Sequence, residues 1–167
     1  MVPQTLWLDR TWTFNFDSGM FPIIYNRLQG TVPRLYQLFE NCEDEKAAMN
    51  TRGWTAKEHV GHLADLEDLW WNRWEDYKNN KEILTAADIT NRKTTEAGHN
   101  SKSIEALLNS FTEKREKILN AIYECDEKLL LRTSLHPRLK TQMRLVDYLY
   151  FVAEHDDHHL TAIMFLF

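Results

Sequence analysis

The chain has 167 residues, 43% hydrophobic and 27% charged, with only five glycines and four prolines. This excludes a disordered or low-complexity chain and suits one domain spanning 1–167. The net charge of −5, with basic residues scattered singly, argues against a nucleic-acid partner, which would need a concentrated basic face.

No run of about 18 apolar residues occurs, which argues against a membrane partner. The first residues, MVPQTLWLDRTW, lack the charged-then-apolar order of a secretory signal. The expected location is therefore the cytoplasm, with Cys42 and Cys125 as reduced thiols.

Residues 1–16 carry Trp7, Trp12, Phe14 and Phe16 and read as an extended segment that caps a core. Helical patterning begins near Ser18. Gly30 and Pro33 interrupt it, which predicts a kink or two short helices between about 19 and 42, with Thr31 as a candidate N-cap for the second. The stretch WTAKEHVGHLADLEDLWWNRWEDY opens on Thr55 with Glu58 three residues on, a capping box. Val60, Leu63, Leu66, Trp70 and Trp74 then recur at helical spacing, predicting a helix over about 56–78.

Residues 80–100 are polar and weakly patterned, a long connection of the kind that is often functional. Ser103 starts a third helix that ends near Glu124. The segment RTSLHPRLKTQ reads as loop. A last helix runs from about Arg144 to Phe165. The tally is four main helices and no convincing strand, an all-α four-helix bundle.

The last helix holds AEHDDHHLTAI, three histidines and two aspartates in an otherwise apolar segment. Leu145, Tyr148, Val152, Ile163 and Leu166 define its inward stripe. His155 and His159 fall within that stripe one turn apart, with His158 at its edge. Glu154 and Asp157 point away. Two histidines at this spacing stand roughly 5–6 Å apart at Cβ, the separation at which one helix can hold one metal ion.

A third ligand is available on the second helix as His59 or His62. Periodicity favours His59, which lies nearer the Leu63/Leu66/Trp70 stripe. His99 and His136 fall in predicted loops and read as exposed. A zincin-type reading of His155-Asp156-x-x-His159 fails because Asp is one carbon shorter than the Glu that chemistry needs. A di-iron bundle fails for want of matching carboxylates on the other helices.

WTAKEHVGHLADLE, followed far downstream by HPRLKTQMRLVDYLYFVAEHDDHHLTAI, resembles the DinB-like superfamily with its YfiT-type metal-dependent proteins. TFNFDSGMFPIIYNRLQGTVPRL also resembles the start of many members, so the likeness covers essentially the whole chain. It implies an up-down-down-up bundle with a long crossover between helices two and three. It also implies a three-histidine centre for a divalent metal ion, zinc or nickel, held by His62, His155 and His159. On this point it differs from periodicity, which prefers His59.

Asp65 and Asp156 become candidates to accept the second N–H of a ligating histidine. The implied activity is that of a metal-dependent enzyme, a thiol S-transferase using a low-molecular-weight thiol or a hydrolase, acting on a small molecule. Arg73, Arg138 and Arg144 could anchor a carboxylate of such a thiol, but read as surface residues. The contrasting expectation is a non-catalytic metal-binding or structural bundle that works through partners in a stress response. On that view Trp71, Tyr77 and Phe165 mark the interface of a homodimer.

Overall fold

The computed structural model describes residues 2–50 and 53–167. Helix α1 (Phe21–Gln29) gives way at Gly30 to α2 (Thr31–Phe39), and a short α3 (Asp44–Ala47) follows. Pro33 has no N–H to give to the preceding turn, so the ladder of α1 cannot simply continue. Gly30, not Thr31, occupies the N-cap position. The Thr31 hydroxyl instead donates to Asp156 Oδ2 at 2.8 Å.

Helix α4 (Ala56–Lys78) begins at the expected capping box. Thr55 Oγ1 accepts from the Glu58 N–H at 3.1 Å, and Glu58 Oε2 accepts from the Thr55 N–H at 2.8 Å. The long connection after it contains α5 (Arg92–Glu96) and a 3-10 turn at His99–Ser101. Helix α6 (Ile104–Ile122) is capped by Ser103, and a single turn, α7 (Glu127–Leu130), follows it. Strands β1 (Thr133–His136) and β2 (Thr141–Arg144) pair antiparallel, and α8 (Leu145–Met164) closes the chain.

The segment read as loop therefore contains a hairpin. Each strand has four residues and β2 buries only Met143, too short a run for alternation to reveal it. A second tie fixes it: the Leu135 N–H donates to Glu82 O at 2.8 Å, and Leu84 N–H to Leu135 O at 3.1 Å.

Side-chain partners give the helix directions. Along α8, Tyr150 meets Phe16, Glu154 meets Arg27, Asp156 meets Thr31 and the C-terminal Phe167 meets Phe39. The α1–α2 arm therefore runs parallel to α8. Helix α4 runs antiparallel to α8, with His62 near His155 and Trp70 near Tyr148. Helix α6 runs parallel to α4, with Lys57 bonded to Lys102 O and Glu67 to Arg115. The result is an up-down-down-up four-helix bundle. Because α4 and α6 are parallel, the connection must travel back along the bundle, which accounts for its length.

Apolar side chains fill the interior in two clusters, one around Trp70, Tyr77, Tyr148 and Val152, the other around Leu35, Leu63, Phe111 and Ile163. Trp7, Trp12 and Phe14 of the N-terminal segment pack on the first. Between the clusters lies one ion network. Arg115 donates to Glu67 (3.1 and 2.6 Å), to Asp156 (2.5 and 3.1 Å) and to Leu28 O (3.3 Å). All three charged residues are at most 1% exposed. Burial and the Asp156 charge push the Glu67 carboxyl up, against the pull of Arg115.

Removing one member of a buried network strands its partners. Arg115→Ala is expected to cost about 3–5 kcal/mol in urea denaturation. Asp157→Ala, which breaks partly exposed pairs with Arg27 and Arg34, should cost about 1 kcal/mol or less. Equal stability of Arg115→Ala and wild type would show that the network carries no weight.

Candidate metal centre

Helix α8 carries His155 and His159 one turn apart on the face turned to α4, and α4 presents His62 opposite them. Ligand atoms from these three residues all lie within 4.8 Å of one another, and all three side chains are buried. His155 Nε2 and His159 Nε2 are 3.2 Å apart. Two nitrogens at about 2.0–2.1 Å from one ion with tetrahedral angles stand about 3.3 Å apart, so this spacing fits a shared ion.

The outer nitrogens explain why the inner ones face inward. His62 Nδ1 lies 3.0 Å from Thr94 Oγ1, and that hydroxyl donates to Asp65 Oδ2 at 3.4 Å. A hydroxyl committed to Asp65 accepts from His62 Nδ1–H, which leaves the Nε2 lone pair free. Asp65 is also 2.9 Å from His99 Nε2. His159 Nδ1 lies 2.8 Å from His59 Nδ1, so with the His159 Nε2 lone pair kept for a metal, His159 Nδ1–H donates to His59 Nδ1. His155 Nδ1 is buried without a partner among the described residues, and Trp7 and Trp70 hold its ring by edge contacts at 4.9 and 5.6 Å.

Burial, above all, keeps these imidazoles neutral. It pushes His62 and His59 down to about 4 and drives His155 and His159 well below the usual histidine value. Neutral imidazole is the form that ligates metal. The three residues therefore suit a divalent ion both in geometry and in protonation, and a three-ligand set leaves coordination positions open. The open side faces a pocket of about 250 Å³ walled by Trp7, Trp54, Trp70 and Phe151. His158 sits at its rim with Nδ1 3.4 Å from Arg10 Nη2.

His62, which the family resemblance assigns, stands in the cluster. His59, which periodicity prefers, stands behind His159. Asp65 lies one hydroxyl away from His62. Asp156 is turned the other way, to Arg115 and Thr31, and orients no imidazole.

Several residues expected on the surface are buried. His99 is 3% exposed and His136 is 2% exposed. His99 is covered because Gly61 lacks a side chain: a Cβ there would stand 2.3 Å from the His99 ring. A glycine inside a good helix costs roughly 1 kcal/mol, and that anomaly next to His62 was the available sequence signal. Arg73 is 1% exposed and Tyr77 is fully buried, its hydroxyl donating to Met143 O. Trp71 is partly buried and packs on the core. Arg144 pairs with Asp147 at the start of α8, and Phe165 is exposed. Sequence reasoning missed Thr94, which lies in a polar stretch without pattern.

A four-helix bundle with parallel middle helices, a long crossover and a three-histidine cluster at one end of its core defines a recognisable class of fold. The chain belongs to the DinB superfamily, whose family model matches residues 27–163. Among solved structures it is similar to YfiT from Bacillus subtilis, described as a probable metal-dependent hydrolase with an unusual four-helix bundle topology. The TM-score is 0.77 at 20% identity, covering 94% of this chain and 91% of that one. It is also similar to a mycothiol-dependent maleylpyruvate isomerase, with TM-score 0.68 at 13% identity, covering 84% of this chain and 59% of the isomerase. A search of curated proteins by sequence finds no match.

The depressed histidines make the metal-free protein acid-sensitive. In the unfolded chain each takes up a proton near pH 6.5, while the folded state refuses it until much lower pH. Stability is therefore present above pH 6.5 and is lost as pH falls, the loss for His62 and His59 being complete below about 4. Each fully buried histidine should contribute up to about 1.4 kcal/mol per pH unit in that window. Denaturation of chelator-treated protein from pH 7.5 to 4.5 measures this, and a flat profile would show that the cluster charges freely in the fold.

Proposed function

We propose that the protein is a metal-dependent enzyme, a thiol S-transferase or a hydrolase, whose single domain holds one zinc or nickel ion on His62, His155 and His159. The observation that carries this reading is the convergence of three neutral imidazoles on the floor of a pocket large enough for a small molecule. A closed site would have a fourth protein ligand and no cavity beside it, so the open pocket favours catalysis over a purely structural ion or a partner-binding bundle. The likeness to YfiT and to a mycothiol-dependent isomerase supports it, because both are described in terms of metal or thiol chemistry.

A bound divalent ion would supply Lewis acidity, making a water or a low-molecular-weight thiol a nucleophile near neutral pH. The chain's own residues would do the rest. Thr94 and Asp65 hold the His62 tautomer, and His59 does the same for His159. Trp7, Trp70 and Phe151 offer an apolar wall to the substrate. His158, held neutral by burial and by the nearby Arg10 charge, lies at the rim with its Nδ1 lone pair turned to Arg10, which leaves Nε2–H as its free donor.

Protein purified without tag or chelator should contain about one equivalent of metal. His62→Ala should lose it while keeping the helical circular-dichroism spectrum. No metal in wild type after incubation with zinc and with nickel would end the proposal. Thr94→Val, which frees the outer nitrogen of His62, should weaken metal binding about 10–100-fold in a competition titration. An unchanged affinity would remove Thr94 and Asp65 from the orienting role.

A further inference from the structure

The pocket has a second chemical end. Arg73, on α4, is three turns beyond His62 and so lies on the same helix face. Arg138 reaches the same end from the β1–β2 turn, and both line the pocket. Trp70 spans the interval: its ring centroid is 5.9 Å from Arg73 Cζ and 5.6 Å from the His155 ring.

Arg73 is almost fully buried, yet among the described residues no carboxylate lies within ion-pair distance of it or of Arg138. Three other guanidiniums drawn into the fold do have one: Arg115 has Glu67 and Asp156, Arg27 has Glu154 and Asp157, and Arg144 has Asp147. Half-buried Arg132 instead donates to two backbone carbonyls, Tyr77 O and Lys78 O. Arg73 donates to neutral acceptors, Thr85 O at 2.8 Å and His136 Nε2 at 3.2 Å, and its Cζ lies 5.7 Å from the centroid of the Tyr148 ring. A buried charge without a counter-charge is costly.

Donors also outnumber acceptors. His136 Nε2 faces Arg73 Nη1, and its Nδ1 faces the Leu139 N–H at 3.2 Å. A neutral imidazole has one lone pair and can accept from only one of them. Among the described residues Arg138 Nη2 is buried with no partner, as is Trp70 Nε1. Asp88, the one carboxylate on the pocket wall among the described residues, already accepts from the Thr90 N–H and hydroxyl and from the Arg92 N–H. Burial and the Arg73 charge push Arg138 down, as expected of two neighbouring guanidiniums.

We propose that Arg73 and Arg138 form an oxyanion subsite that binds the anionic end of a small molecule while its other end reaches the three histidines across Trp70. The ligand class is a compact molecule with an apolar body and a terminal carboxylate or phosphate. Two guanidinium forks suit such a group, and it supplies the acceptors this end lacks. The position of the reacting end rests on the function proposed above; binding of the anion does not.

The test titrates metal-free, full-length protein with hexanoate, 1-hexanol and inorganic phosphate, following the fluorescence of the pocket tryptophans. Metal is omitted first because a carboxylate could ligate it directly. Hexanoate or phosphate should bind saturably, and 1-hexanol about tenfold or more weakly. Arg138→Gln should weaken anion binding about tenfold or more, with its circular-dichroism spectrum and metal stoichiometry unchanged. Arg144→Gln should leave anion binding unaltered.

Hexanoate and phosphate distinguish the two anionic ends, and Arg138-dependent binding of either supports the subsite. Equal binding of hexanoate and hexanol with no phosphate binding, or anion affinity indifferent to Arg138→Gln, overturns it. A protein that takes up no metal yet binds anion through Arg138 sinks the metal-enzyme reading and leaves the subsite standing. Metal uptake with Arg138-independent anion binding does the reverse.

Discussion

The phase of the last helix about its own axis governs everything at the site, and Arg115 holds that phase. Its guanidinium, fully buried on α6, grips Glu67 of α4 and Asp156 of α8 and touches the α1–α2 arm through Leu28 O. Thr31 adds a second donor to Asp156. With Asp156 pinned on one side, its neighbour His155 and the residue one turn on, His159, can only face α4. A buried ion network of this kind is weak evidence for stability but good at choosing among packings, since a rotated helix would leave charges unpaired. In a core of interchangeable aliphatic side chains, such a device selects one arrangement.

The same helix turns its outer charges to a different use. Glu154 and Asp157 point away from the cluster and pair with Arg27, Arg34 and Arg10. The dense run of titratable groups near the end of the chain thus divides by angle into three functions. Asp156 sets rotation, Glu154 and Asp157 bind the N-terminal arm, and His155 and His159 face the pocket. His158, at the border, lines its rim.

Irregular segments supply what the helices cannot. The crossover delivers Thr94 to the outer nitrogen of His62 and His99 to Asp65. The hairpin delivers His136 and Arg138 to the far end of the pocket, and the N-terminal segment lays Trp7 against His155 and Phe151. The bundle gives a rigid floor of imidazoles, and the loops give its walls. This division of labour is usual where a scaffold must stay fixed while recognition varies.

The helices and the inward histidine pair are written in short-range sequence signals. Capping signals at Thr55 and Ser103, a 3.6-residue apolar period and breakers at Gly30 and Pro33 act within a few residues, so they can be read locally. The spacing of His155 and His159 on an apolar stripe is equally local. The fold brings His62, not His59, into the cluster with that pair, against a periodicity that favours His59, because the outcome depends on which neighbouring helix packs against each face of α4. Tertiary packing also buried His99 beneath Gly61, turned Asp156 to Arg115, formed the short hairpin and, among the described residues, left Arg73 and Arg138 without carboxylates. Each of these rests on contacts between residues dozens of positions apart, and no periodicity along the chain encodes such a meeting.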